Sequence, residues 1–86
     1  MYKVVLSRQA RRYFEHASRD VAERLASIFQ SLESDIHPPH SKALQGRLEG
    51  LWRIRMGSIR IVYEPKMELK EIRIIKIGPR GDIYEK

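Results

Sequence analysis

Cysteine is absent from this 86-residue chain, which excludes disulfides and thiolate chemistry and makes a cytoplasmic address the expectation. No apolar run is long enough to span a bilayer, and the opening Met1-Tyr2-Lys3-Val4-Val5-Leu6 is too short for a signal peptide. Internal repeats, low-complexity tracts and linkers are missing too. The chain therefore reads as one small soluble domain over residues 1–86, with a modest core. Among catalytic signatures there is no G-x-S-x-G elbow and no Walker loop. Acidic residues are also short: 11 Asp and Glu stand against 17 Lys and Arg, for a formal net charge of +6 and a pI near 10.0. Such an excess points to a nucleic-acid or acidic-protein partner.

What is present centres on residues 51–64, Leu51-Trp52-Arg53-Ile54-Arg55-Met56-Gly57-Ser58-Ile59-Arg60-Ile61-Val62-Tyr63-Glu64. Alternation around a central Gly-Ser predicts a β-hairpin closed by a two-residue turn of type II′. Pairing across that turn sets Met56 against Ile59, Ile54 against Ile61 and Trp52 against Tyr63 on one apolar face. The other face sets Arg55 against Arg60 and Arg53 against Val62. Arginines directly opposite each other repel, so folding alone gives little reason to choose them. A solvated face is the plain explanation. A polyanion that relieves the repulsion is the one favoured here, because the guanidinium fork suits phosphate oxygens.

In chain order, Tyr2 to Leu6 reads as a short strand, and Ser7 as the N-cap of a helix through about Ala17. Ala10, Tyr13, Phe14 and Ala17 share a side of that helix, away from Arg8, Arg11 and Arg12. Ser18 or Asp20 opens a second helix, in which Val21, Leu25, Ile28, Leu32 and Ile36 recur at helical spacing. His37-Pro38-Pro39-His40 ends it. Two histidines here and His16 earlier raise a metal site. No cysteine or ordered carboxylate completes a ligand set, so none is expected. Lys42 to Gly50 reads as a loosely amphipathic connection, and Pro65 to Glu68 as a turn. Glu71 to Ile77 forms a last strand, in which the adjacent Ile74-Ile75 implies a bulge or burial on both faces. The expected architecture is α+β, ordered β-α-α-β-β-β, with two helices on one face of a small, mainly antiparallel sheet.

The chemistry available is narrow. No histidine falls in the basic region as read from sequence, and Glu64 and Asp82 form no obvious acid/base pair. An arginine cluster and a late tyrosine remain. They lack a conventional proton acceptor, yet can orient RNA and stabilise phosphoryl charge. RNA brings its own nucleophile, since the 2′-hydroxyl can attack the adjacent phosphorus once aligned. DNA has no such group.

The runs LEGLWRIRMGSIRIVYE and IRIIKIGPRGDIY, with the strand-helix-helix opening, resemble the RelE/ParE superfamily of toxins, and RelE-type mRNA interferases most closely. The resemblance implies a ribosome-dependent endoribonuclease that cuts A-site codons and is silenced by a RelB-like antitoxin. It implies mRNA and ribosomal RNA as further partners, and no cofactor. By position, Arg53 and Arg55 match basic positions where the best-known RelE enzymes carry lysine, Arg60 the second-strand arginine, Arg80 the arginine after the glycine, and Tyr84 the late tyrosine. The implied roles give Arg60 and Arg80 the scissile phosphate, with Arg80 also protonating the departing 5′-oxygen. Tyr84 stacks on or orients a base. Arg55 stabilises the 2′-oxyanion electrostatically, because arginine does not give up its proton. Arg53 and Lys76 are counted as RNA contacts. Another branch of the superfamily uses a Glu and a His as base and acid. Lys42 falls near the place of that Glu, and no clear counterpart of either is visible. Trp52 and Tyr63 are read as core, and Tyr84 can equally be packing. A ParE-like inhibitor of DNA gyrase without chemistry, or a degenerate antitoxin-binding homologue, are the alternatives.

Overall fold

Serine hydroxyls start both helices. The structure, a computed structural model, describes residues 1–79. Strand β1, Lys3–Leu6, runs into Ser7, whose Oγ accepts from the Ala10 N–H at 3.1 Å and caps helix α1, Arg8–Glu15. Ser18, rather than Asp20, caps helix α2, Arg19–Ser34, by accepting from the Val21 N–H at 3.2 Å, and Asp20 sits in the first turn where the helix dipole favours it. Both helices end sooner than their apolar spacing predicts. α1 stops at Glu15, and α2 stops at Ser34, where Asp35 turns extended (φ −151°, ψ 108°). Ile36 thus leaves the helix but still packs against the core. Its carbonyl accepts the Tyr63 hydroxyl at 2.8 Å.

After the prolines comes strand β2, Ser41–Ala43, then a 3₁₀ turn over Gly46–Leu48. Strands β3 (Trp52–Met56), β4 (Ile59–Lys66) and β5 (Glu71–Pro79) complete the sheet, in the order β1-β5-β4-β3-β2. β1 is parallel to β5 and every other pairing is antiparallel. The α+β arrangement with helices on one sheet face is as expected, with one strand more than the sequence order implied. β2 was hidden because three residues without a β-branched side chain carry no detectable alternation. β4 also runs on through Pro65 and Lys66, where a turn was expected. Beyond Tyr63, β4 has no β3 partner, so proline's missing N–H costs no ladder bond on that side. The turn lies at Met67–Leu69, closed by Lys70 at φ 53°.

The hairpin register agrees residue for residue with the sequence reading. Gly57 has φ 63° while Ser58 stays at negative φ, the pattern of a type II′ turn. The expected bulge is also present. Val62 faces Lys76 but Tyr63 faces Ile74, so Ile75 is the extra residue. That offset lets Ile72, Ile74 and Ile77 all turn inward.

Those isoleucines join Ala10, Leu25, Leu32, Ile54, Met56, Ile61 and Tyr63 in one core between helices and sheet. Each fully buried leucine or isoleucine contributes roughly 2 kcal/mol of transfer free energy. Trp52 packs at the margin with its ring 3.8 Å from that of His37. Trp52 and Tyr63 therefore serve packing, as read from the sequence. No helix among the described residues is long and apolar enough to cross a membrane.

Candidate nucleic-acid interface

With the helices stacked on one face, strict alternation sends every second side chain of β2 to β5 to the other. Two rows cross that face, which is buried at Arg60, Val62 and Gly78 and more exposed toward β2 and β3. Lys42 on β2 faces Arg53 on β3, which faces Val62 on β4, which faces Lys76 on β5. In the neighbouring row Arg55 faces Arg60, which faces Gly78. Adjacent strands lie about 4.8 Å apart, so Lys42, Arg53, Arg55 and Arg60 form a tight group of cations.

Among the described residues no ion pair or hydrogen bond engages Lys42, Arg53, Arg55 or Arg60. The acids nearby are spoken for. Glu64 pairs with Lys66 at 3.3 Å and Glu71 with Arg73 at 3.2 Å. Arg60 is the unusual member: as a residue it is only 8% exposed, yet among the described residues no buried side-chain nitrogen lacks a partner, so its guanidinium keeps access to solvent. Its like-charged neighbour Arg55 adds about 0.2–1 kcal/mol of cross-strand repulsion. Gly78 puts no side chain next to Arg60 in the row, and a Cβ there would meet no atom within 4 Å.

Two shallow clefts share Arg55. One, of about 300 Å³, is lined by Arg55, Gly57, Ser58 and Arg60. The other, of about 280 Å³, is lined by His40, Ser41, Lys42, Arg53 and Arg55. The second corrects the sequence reading that no histidine falls in the basic region. β2 pairing with β3 brings His40 and Lys42 beside the hairpin arginines, and nothing local in the sequence announces that pairing. Arg53, Arg55 and Arg60 are thus brought together with Lys76 one strand beyond. Arg80, Asp82 and Tyr84 lie outside the described residues.

The other two histidines are elsewhere. His37 stacks on Trp52, and the His16 ring nitrogen lies 2.9 Å from the Arg12 carbonyl. Among the described residues no three His, Cys, Asp or Glu side chains are grouped to hold a metal. On the core side, burial pushes the Tyr63 phenol above its ordinary value. Asp35 adds to that rise, and the Ser41 hydrogen bond opposes it.

A cationic sheet face of this kind can grip phosphates and stabilise charge developing on phosphoryl oxygens. The sequence model of the ParE toxin family, described as the ParE toxin of the type II toxin-antitoxin system parDE, matches residues 4–84. The chain belongs to that family. The toxin's fold recurs in solved relatives. It is similar to RelE in the archaeal RelE-RelB complex from Pyrococcus horikoshii OT3, at 26% identity and TM-score 0.80, over 94% of this chain and 97% of that one. It is also similar to the E. coli RelBE toxin-antitoxin complex, at 19% identity and TM-score 0.80, over 94% and 99%. The YoeB/ParE toxin from Agrobacterium tumefaciens shares the fold at 15% identity and TM-score 0.82, over 92% and 99%. A comparison with curated proteins finds no match. The toxin is thus a member of the RelE/ParE superfamily, as its hairpin and tail implied.

Proposed function

We propose that the toxin is an endoribonuclease that cuts mRNA in the ribosomal A site and so stops translation. The observation that carries this reading is Arg60 facing Arg55 across the hairpin, two guanidinium groups with no ion-pair partner among the described residues. Such an arrangement gains most when a phosphate sits between the two forks. In the reaction, the 2′-oxygen attacks the neighbouring phosphorus, the bond to the 5′-oxygen breaks, and a 2′,3′-cyclic phosphate and a 5′-hydroxyl result. Arg60 and Arg80 hold the scissile phosphate, and Arg55 neutralises charge on the attacking oxygen. Arg80 is positioned in sequence to assist the leaving oxygen, and Tyr84 to stack on a codon base. Arg53, Lys42 and Lys76 bind the flanking backbone. A cognate RelB-like antitoxin with acidic residues silences the toxin by folding over it.

A second reading stands beside it, because the matching family bears the ParE name. A ParE-like toxin would use the same basic face to bind DNA gyrase, without chemistry. The deciding assay is mRNA cleavage on programmed ribosomes, with the wild type compared with a folded Arg60→Ala/Arg80→Ala variant. Cuts within A-site codons that disappear in the variant are the expected result. If a folded, antitoxin-free wild type makes no cuts, the ribonuclease reading is wrong, and inhibition of gyrase supercoiling is the next measurement.

A further inference from the structure

The arginine set lacks a group that can accept a proton near neutral pH. The geometry points to His40 as that group: a catalytic residue that takes the 2′-hydroxyl proton, an inference that rests on the ribonuclease reading above. Three independent observations converge on it.

The first is place. The β2–β3 register pairs Ser41 with Ile54 and Lys42 with Arg53. His40 immediately precedes β2, at the end that leads toward Arg55 and its partner Arg60. His40 lines the same cleft as Lys42, Arg53 and Arg55. A phosphate held by Arg55 therefore shares a cleft with the imidazole.

The second is backbone. The Ser41 N–H donates to the Pro38 carbonyl at 3.1 Å, closing a four-residue turn with Pro39 and His40 at its centre. His40 has φ 76°. Proline followed by a residue at positive φ is the type II pattern, and glycine or asparagine suits the third position best. Histidine is, with asparagine and aspartate, among the non-glycine residues that reach this region most readily, so the turn is compatible with the ring and fixes where it is presented. The two prolines hold the turn stiff, so the ring is presented from a fixed base.

The third is availability. His40 is exposed, and no hydrogen bond or ion pair occupies it among the described residues. His16 and His37 have their interactions, with the Arg12 carbonyl and the Trp52 ring. Among the described residues, the charged groups that share the cleft of His40 are Lys42 from β2 and Arg53 and Arg55 from β3, all cations. In the step itself, a neutral imidazole nitrogen accepts the proton as the 2′-oxygen bonds to phosphorus. The 5′-oxygen departs with the P–O electron pair and is protonated by water. Imidazole is the one side chain whose ordinary titration falls in the range this transfer needs.

The test uses wild type, His40→Asn and His40→Gly in the ribosome cleavage assay, across pH 5.5 to 8.5. Asparagine and glycine both accept the left-handed backbone, so both variants should melt at or above the wild-type temperature. The expected result is a loss of cleavage of about a hundredfold or more in each. The rising limb of the wild-type pH profile should flatten, and added imidazole should restore part of the activity of His40→Gly. Cleavage within threefold of wild type overturns the assignment and leaves the ribonuclease reading intact. So does a loss that imidazole does not rescue and that keeps the wild-type pH profile. A wild type that cuts nothing ends both.

Discussion

Tyr63 ties three parts of the molecule together at one side chain. Its ring is fully buried opposite Trp52, and its hydroxyl donates to the Ile36 carbonyl just past the end of α2. Because burial raises its pKa, the folded state favours the neutral phenol. The stability this contributes is complete below the ordinary value of 10.0 and is lost as pH rises through the raised one. Tyr63→Phe removes the hydrogen bond and should cost about 1 kcal/mol at neutral pH. It should also lose less stability than wild type between pH 9 and 11. Urea unfolding of both proteins at the two pH values checks the difference. Part of this was legible beforehand. Alternation places Tyr63 on the apolar face, but the partner of its hydroxyl depends on where α2 stops. Nothing in the helical spacing of Ile36 says that it leaves the helix.

At the scale of elements, α1 does more than cover the sheet. β1 ends at Leu6, leaving the outer edge of β5 without a ladder partner beyond Ile74. Ser7 and Gln9 take over. The Ser7 hydroxyl donates to the Ile75 carbonyl at 2.8 Å. The Gln9 amide donates to the Ile77 carbonyl at 2.7 Å and accepts its N–H at 2.9 Å, acting as one more rung. This closes the edge next to the bulge and steadies the stretch that carries Lys76 and Gly78. Gln9→Ala should speed hydrogen exchange at the Ile77 amide by an order of magnitude and cost about 1–2 kcal/mol. Exchange measured residue by residue by NMR tests this. Elements with a strong period or a turn marker, such as the hairpin and the two helices, could be read directly from the chain. β2 and the Pro65 end of β4 could not, because each exists only through a neighbour distant in sequence. For the same reason the arginines of the site were visible early, while His40 and its link to Arg55 were not.

Over the whole molecule, apolar contacts and charge are separated onto opposite sides of one sheet. The net charge of +6 understates the local field, since Lys42, Arg53, Arg55 and Arg60 share two adjacent rows. If each contacts one phosphate, affinity for a short single-stranded RNA should fall with salt at a log–log slope of roughly −3. Arg53→Ala should lower that slope by about 0.7 and leave the melting temperature nearly unchanged. Fluorescence anisotropy at 50 to 300 mM KCl measures both. A slope near zero would remove the phosphate-binding premise.

The strand order also imposes a timetable. β3 and β4 are joined by two residues and can pair as soon as they exist, within microseconds in isolated hairpins. Among the described residues β1 finds its partner in β5, a parallel match between Lys3 and Glu71 that spans most of the described chain. Contacts so distant are slow to form, because a long loop must close before they yield anything. The arginine-bearing ribbon should therefore take shape early, and the oily side of the sheet should seal last. Until β5 slots between β1 and β4, the newly made toxin is a charged hairpin attached to an unsealed core. In refolding, the amides of β1 should accordingly gain protection last.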